Sequence, residues 1–510
     1  MNRRLLLIIL IIIGLLSFMG GGLFMLFGPT TTDHQPIAHD VTPSATPAPT
    51  FERVPAATPT PDAEHFYDEG VAQYNLNQYE VAITQFDQAI LLQANYALAF
   101  SRRGLAYRQL EEYDRALEDC EAAIRLNPDD PLGYVCRGAT YRSLTRYQQA
   151  LAAFDEAIRL APRSPYPYNS RGLTYQDMAD SEAALADFGR AIRLRHEPLS
   201  WVYSNRGNTY RQLGNFRRAI IEFEQAIQLD PTDGDFYYNR GDLYVGMNDY
   251  QAALADFEVA IELTSSKPSW PYYRRGLVYY SLGDYEAALT DFDAAIQEKY
   301  ERLSRPYIGR GLAHLAQEEF EAALTDFSEA LNQHPNPPDW PYIGRGLVYY
   351  YQGEYESALT DFSHAIELAS DNLAYAHYNR GDLYFTLKQY DEALSDFSAA
   401  IKAEPNDAAA YNRRGLVYGN MGDHRQAIAD FTTALTLDPE FAAAYRNRGQ
   451  AYNHIGGHNK AVADFTVAIT LDPDDSAAYK HRGQARIGLG NDNRAKFDLE
   501  QAATLDKEVE

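Results

Sequence analysis

The chain has 510 residues, with 45 Lys and Arg against 71 Asp and Glu and 45% hydrophobic residues. That composition excludes a wholly disordered chain and a polytopic membrane protein, and a net charge of −26 argues against binding the phosphate backbone of nucleic acid. Two cysteines, Cys120 and Cys136, are too few for a disulfide framework or a four-thiolate metal site.

Residues 5–27 hold no charge in 23 positions, enough as a helix to cross the ~30 Å hydrocarbon core of a bilayer. Arg3 and Arg4 precede the segment and the next basic residue is Arg53, so the positive-inside rule predicts a cytoplasmic N-terminus and an extracytoplasmic remainder. The expectation is a single-pass membrane protein with an uncleaved signal-anchor over 1–28. A cleaved signal peptide, leaving a secreted protein, is the alternative. Residues 29–62 contain sixteen Pro or Thr in 34 positions and read as an extended linker, with O-glycosylation left open.

From residue 63 one unit recurs thirteen times, with predicted starts near 63, 97, 131, 165, 200, 234, 269, 304, 339, 374, 408, 442 and 476. Its glycine falls at Gly70, Gly104, Gly138, Gly172, Gly207, Gly241, Gly276, Gly311, Gly346, Gly381, Gly415, Gly449 and Gly483, always 34 or 35 residues apart. In the sixth unit Tyr237, Gly241 and Tyr244 share one helical face. Ala253, Phe257 and Ala260 share a second face, beyond a turn at Gly246-Met247-Asn248-Asp249. Pro128, Pro162, Pro231, Pro405, Pro439 and Pro473 close second helices, whereas Pro167, Pro271, Pro306 and Pro341 fall in the first turn of the next helix, where a missing N–H costs nothing.

The period and the register of Gly241, Tyr244, Ala253, Phe257 and Ala260 resemble the tetratricopeptide repeat family over residues 63–510. The resemblance implies an all-α fold: a right-handed superhelical α-solenoid of about 13 helix-turn-helix repeats, its concave wall formed by the first helix of each unit. One hairpin cannot bury its own apolar face, so the repeats should share one continuous core.

The residue before the glycine is usually apolar in that family. Here it is Arg in twelve units, and an acid follows sixteen residues later in eleven of them, as in Arg240 with Asp256, Arg345 with Asp361 and Arg380 with Asp396. The third unit has Arg137 but Ala153 in the acid position. A partly buried guanidinium is costly without a carboxylate, so these residues predict structural ion pairs, with an anion-binding arginine stripe as the competing reading.

No HExxH, G-x-S-x-G, Walker or CxxC motif occurs, so neither enzymatic activity nor a cofactor is expected, and no catalytic or metal residue is assigned. His454 and His458 are separated by the turn glycines Gly456 and Gly457 and do not form a metal pair. Asp129-Asp130 and the acids of 472–475 read as turn chemistry. Cys120 takes the packed-aromatic position of its second helix and Cys136 a groove position of the next first helix, so a disulfide is not expected.

The resemblance places groove side chains six, three and two residues before the glycine, and one, four and five after it. Those positions hold Trp270, Tyr273, Tyr280, Trp340, Tyr350, Tyr351, Tyr375, Tyr378 and Phe385, and the amides Asn208, Asn239, Asn379, Asn412 and Asn447. Either adjacent first helices pack through these rings, or the rings form a binding surface for an extended peptide. The Asn208 to Asn239 spacing resembles carboxylate-clamp members of the family, but Ser204 and Asn239 stand where that clamp has lysines. With nine basic and six acidic residues at these positions, the wall is mildly basic and favours a neutral or acidic protein or peptide. The functional expectation is a membrane-tethered protein-binding scaffold. An envelope glycan- or peptidoglycan-associated module is the alternative.

Overall fold

A computed structural model describes residues 62–194, 199–264, 269–298, 304–333, 339–368 and 372–508. The described residues contain 26 helices in helix-turn-helix pairs and no strand. The contacts divide them into two compact units, one holding repeats 1–6 up to Ser266 and one holding repeats 7–13 from Lys267.

Repeat 6 shows how the sequence sets each hairpin. Asp233 starts the first helix, Gly234–Gly246, by accepting from the Asp235 amide, and Asp249 starts the second, Tyr250–Leu263, by accepting from the Ala252 amide. Between them Asn248 sits at φ 59°. The same left-handed turn recurs seven residues after the glycine in each repeat, carried by Gly in six (Gly353, φ 82°) and by other residues in seven, among them Ala179 and Thr145. A β-branched residue pays most for this conformation, ~1–2 kcal/mol. Thr145→Gly should therefore raise unfolding free energy by ~1 kcal/mol in urea titrations, and an unchanged midpoint would contradict the strain.

Within each hairpin the second-helix phenylalanine is the packing centre, and Ala253, Phe257 and Ala260 are all fully buried. A Cβ built on Gly346 would stand 2.7 Å from the Phe362 ring, so only glycine lets the two helices approach this closely. The ring also reaches the next repeat. Phe327 lies against its own Gly311 and against Gly344, two residues before the following glycine, where an added Cβ would approach to 2.5 Å. That position is therefore a core position between repeats, which makes the stack cooperative with its neighbours.

This geometry corrects the expectation for the cysteines. Cys120 replaces the phenylalanine and Cys136 occupies the position two before the next glycine, so the two side chains face each other. They form a disulfide with a Cα–Cα distance of 5.5 Å and both residues fully buried.

The apolar segment 5–27 and nearly all of the linker 29–62 lie outside the described residues. Among the described residues no helix is long and apolar enough to cross a membrane. These helices run to 13–17 residues, ~20–25 Å of rise against a ~30 Å hydrocarbon core. The expectation of a single-pass membrane protein with an extracytoplasmic repeat domain is corrected to this extent: no described helix supports a membrane span, and the segment 5–27 on which the expectation rests lies outside the described residues.

Candidate functional site

The arginines before the glycines turn toward the second helices. Arg240 donates from Nε and Nη2 to Asp256 at 2.8 and 2.7 Å, and Arg345 does the same to Asp361 at 2.7 and 2.9 Å. Equivalent contacts join Arg103, Arg171, Arg206, Arg275, Arg310, Arg380, Arg414, Arg448 and Arg482 to their acids. In eight of these repeats the fork has a further partner on the preceding repeat: Asp87, Asp155 or Asp293 for Arg103, Arg171 and Arg310, and Ser328, Ser363, Ser398, Thr432 or Thr466 for the others. One guanidinium thus ties two hairpins together. Arg137, with Ala153 in the acid position, instead lies over the Tyr134 ring at 5.3 Å with its Nε buried and unpaired.

Asp396 carries an additional donor, His377 Nδ1 at 2.7 Å from Oδ1. Burial pushes its carboxyl up, but the Arg380 fork and His377 more than offset this and hold it below its ordinary value of 3.8. A depressed folded-state value means that Asp396 contributes stability above the unfolded pKa, lost as pH falls through the folded one. His377→Ala should cost ~1.5 kcal/mol at pH 6 and progressively less as pH falls through the folded-state value of Asp396. Thermal unfolding across that range reads the difference, and a pH-independent effect would sink this account.

Several of the amides expected on the groove wall are engaged within the protein, two pairs of them between repeats and Asn379 within its own helix. Asn205 donates to Asn169 at 2.9 Å, Asn447 to Asn412 at 2.9 Å, and Asn379 to the Tyr375 carbonyl at 2.7 Å. Asn208, Asn239, Asn412 and Asn447 are all buried. The expectation of freely presented amides is thereby corrected, because positions two and three before the glycine meet across the interface of successive first helices. Asn208 differs, since both its amide atoms are buried without a hydrogen-bond partner.

The charges of the wall are also paired. Arg142 meets Asp177 at 2.6 Å, Arg211 meets Asp242 at 2.5 Å, Arg413 meets Asp382 at 3.2 Å and Arg446 meets Asp475 at 2.7 Å. These pairs fix the wall's charges locally, and three of the four acids involved are among the six already counted in its mildly basic balance.

The aromatic residues divide into two sets. Tyr273 and Trp340 are buried, whereas Trp270, Tyr280, Tyr350, Tyr351, Tyr375, Tyr378 and Phe385 keep part of their surface in solvent. Those of repeats 7, 9 and 10 converge: Tyr280, Tyr350, Tyr351 and Tyr375 pack against one hydrophobic cluster that includes Trp340. The rings of Trp340 and Tyr375 are 5.5 Å apart, and those of Tyr350 and Tyr351 5.7 Å. Burial, and then the hydroxyls of Tyr351 and Tyr280, raise the Tyr375 phenol, while burial and Asp382 push Tyr350 up to about 12. Tyr350 Oη is 3.1 Å from Thr386 Oγ1, and Arg413 Nε donates to Tyr378 Oη at 3.3 Å. Phenols so desolvated stay neutral and can act as hydrogen-bond donors at physiological pH.

His454 and His458 do not converge: His454 stacks on His424 with ring centroids 4.6 Å apart, and His458 bonds Asn453 at 2.6 Å. Among the described residues no cluster of three or more His, Cys, Asp or Glu side chains could hold a metal ion.

Comparison with known proteins gives a consistent family. Profiles described as tetratricopeptide repeat match residues 97–130, 131–164, 166–197, 234–267, 269–299 and 408–441, and a profile described as TPR repeat matches 207–248, 346–388 and 381–422. Together they cover more than half of the chain. No curated protein sequence matches. Similar solved structures include the Cut9–Hcn1 hetero-tetramer of the APC/C, at 14% identity and TM-score 0.46, covering 87% of this chain and 94% of that one. The MamA protein matches at 20% identity and TM-score 0.31 over 33% of this chain and 92% of its own. A thermophilic TPR protein of Thermus thermophilus, TTC0263, matches at 23% identity and TM-score 0.34 over 36% and 99%.

Proposed function

The chain belongs to the tetratricopeptide repeat family, and from that premise we propose that it is a scaffold whose first-helix face in repeats 7–10 binds an extended peptide or protein segment. TPR solenoids are typical of protein–protein interaction scaffolds, and repeat proteins of this kind are generally non-catalytic. The carrying observation is the convergence of Tyr280, Tyr350, Tyr351 and Tyr375 from three different repeats, rings that remain partly accessible although their surroundings are desolvated. Aromatic side chains of this kind concentrate binding energy in few residues. Local pairing of Arg413 with Asp382 leaves the face close to neutral, which suits a neutral segment better than the acidic one the sequence favours.

The test is affinity capture with the full chain against Tyr280→Ala and Tyr351→Ala variants, with folding checked by circular dichroism. The reading expects captured proteins to be lost from both variants. Equal capture by all three, or binding on a glycan array with no captured protein, overturns it.

A further inference from the structure

The junction between repeats 2 and 3 is built unlike the others. Its two cysteines stand where repeats 7–9 place a phenylalanine against a glycine, as in Phe327 with Gly344, so a covalent bond replaces ring packing there. Arg137, the arginine of repeat 3, forms no hydrogen bond or ion pair with repeat 2 among the described residues, whereas Arg103 reaches Asp87 and Arg171 reaches Asp155 across the junctions on either side. The first helices of repeats 2 and 3, Ala97–Gln109 and Pro131–Ser143, run side by side over more of their length than any other successive pair of first helices described. Two glycines admit that approach: a Cβ on Gly104 would stand 2.8 Å from Cys136 Sγ, and one on Gly133 2.9 Å from Ile124 Cγ1.

We propose that this junction is a redox-operated joint: with the disulfide formed, repeat 3 is clamped against repeat 2, and with it reduced the two hairpins separate there while the rest of the stack holds. Two thiols need more room than the bond between them, because unbonded sulfurs repel at bonding distance. The surroundings give none, with Gly104 against Cys136 on one side and Thr140 Oγ1 3.9 Å from Cys120 Sγ on another. Reduction therefore pushes the hairpins apart at a point where neither an aromatic ring nor an arginine fork holds them. The reductant is a dithiol. Its thiolate attacks one sulfur of the disulfide, the S–S bond breaks through a mixed disulfide, and the second thiol closes the reductant's own disulfide, so that two electrons and two protons pass to the two cysteines. Both cysteines are fully buried, so attack waits on transient opening of the same junction, and opening and reduction reinforce each other. The first-helix wall of the N-terminal repeats is then continuous only in the oxidised chain.

The test is hydrogen exchange of the full chain, followed by mass spectrometry before and after treatment with about 10 mM dithiothreitol. Exchange in Tyr113–Leu126 and Pro131–Ser143 is expected to rise about tenfold or more on reduction and to fall back after reoxidation. It should stay unchanged in Tyr285–Gln297 and Ser304–Ala316, where Phe292 and Gly309 make the equivalent contact without sulfur. The full chain carrying Cys120→Phe and Cys136→Gly should show no response to the reductant. Acceleration spread evenly over all repeats would mean that the disulfide stabilises the fold without acting as a joint, and would overturn the proposal. Unchanged exchange in the reduced chain overturns it as well, as does a disulfide that resists the dithiol over hours, or a pair of cysteines already open to alkylation in the untreated protein.

Discussion

Asp361→Ala is expected to lower unfolding free energy by about 3 kcal/mol, because it leaves Arg345 without its bidentate partner in a site only 23% open to solvent. What remains near the guanidinium is a long contact to Ser328 Oγ at 3.5 Å and the Tyr342 ring at 5.9 Å, neither a substitute for a carboxylate. Partial exposure of the arginine places the value at the low end for a broken buried pair. The double variant Arg345→Met, Asp361→Leu should recover all but ~1 kcal/mol, since it removes the uncompensated charge and fills the space with apolar side chains. Stability in a repeat stack is a sum over neighbouring hairpins, so the loss should concentrate in hydrogen exchange of Trp340–Gln352 and Tyr355–Glu367. Unaltered exchange there in the single variant would refute a structural role for the pair, and an Arg345→Ala variant that keeps its melting temperature but loses partner capture would favour an anion-binding arginine stripe.

Removing the Cys120–Cys136 disulfide should cost ~3 kcal/mol, the chain-entropy value for a cross-link that closes a loop of 16 residues. Cys120→Ser with Cys136→Ser would also place two hydroxyls in a site that is fully buried. Repeats 7–9 offer a direct control. At equivalent positions they hold a phenylalanine and a glycine, Phe292 with Gly309 and Phe327 with Gly344, in close contact. Cys120→Phe with Cys136→Gly should therefore recover most of the lost stability without any covalent bond, and its denaturation midpoint should be insensitive to reductant. If the Phe/Gly variant is as unstable as the double serine variant, the disulfide is not acting as a replacement for the inter-repeat aromatic contact.

Much of the hairpin was legible in the chain, because its requirements are local and repeat. The glycine must admit a phenylalanine from the adjacent helix sixteen residues on, as Gly346 admits Phe362, and any larger side chain collides with the ring. The arginine one residue earlier needs an acid at the same interval, and the absence of that acid in repeat 3 is visible in the sequence as Ala153. Helix starts follow from capping aspartates such as Asp233 and Asp249.

Contacts between hairpins were legible far less. The position two before the glycine was assigned to the groove, whereas Gly344 and Cys136 lie in the core against the preceding repeat. The asparagines looked available for a ligand, yet Asn205 and Asn447 bond the preceding repeat. The further partners of the arginines, Asp87 or Ser363 among them, were not anticipated, though a polar residue recurring seventeen after the glycine was a usable signal.

The sequence by itself determined the all-α class, the repeat count and the pairings inside each hairpin, since a 34-residue period and helical geometry fix which side chains share a face. Only the tertiary structure decided the disulfide, the inter-repeat amide and arginine contacts, and which aromatics stay accessible. Those depend on how one hairpin is rotated against the next, and the periodicity of the chain does not encode that angle.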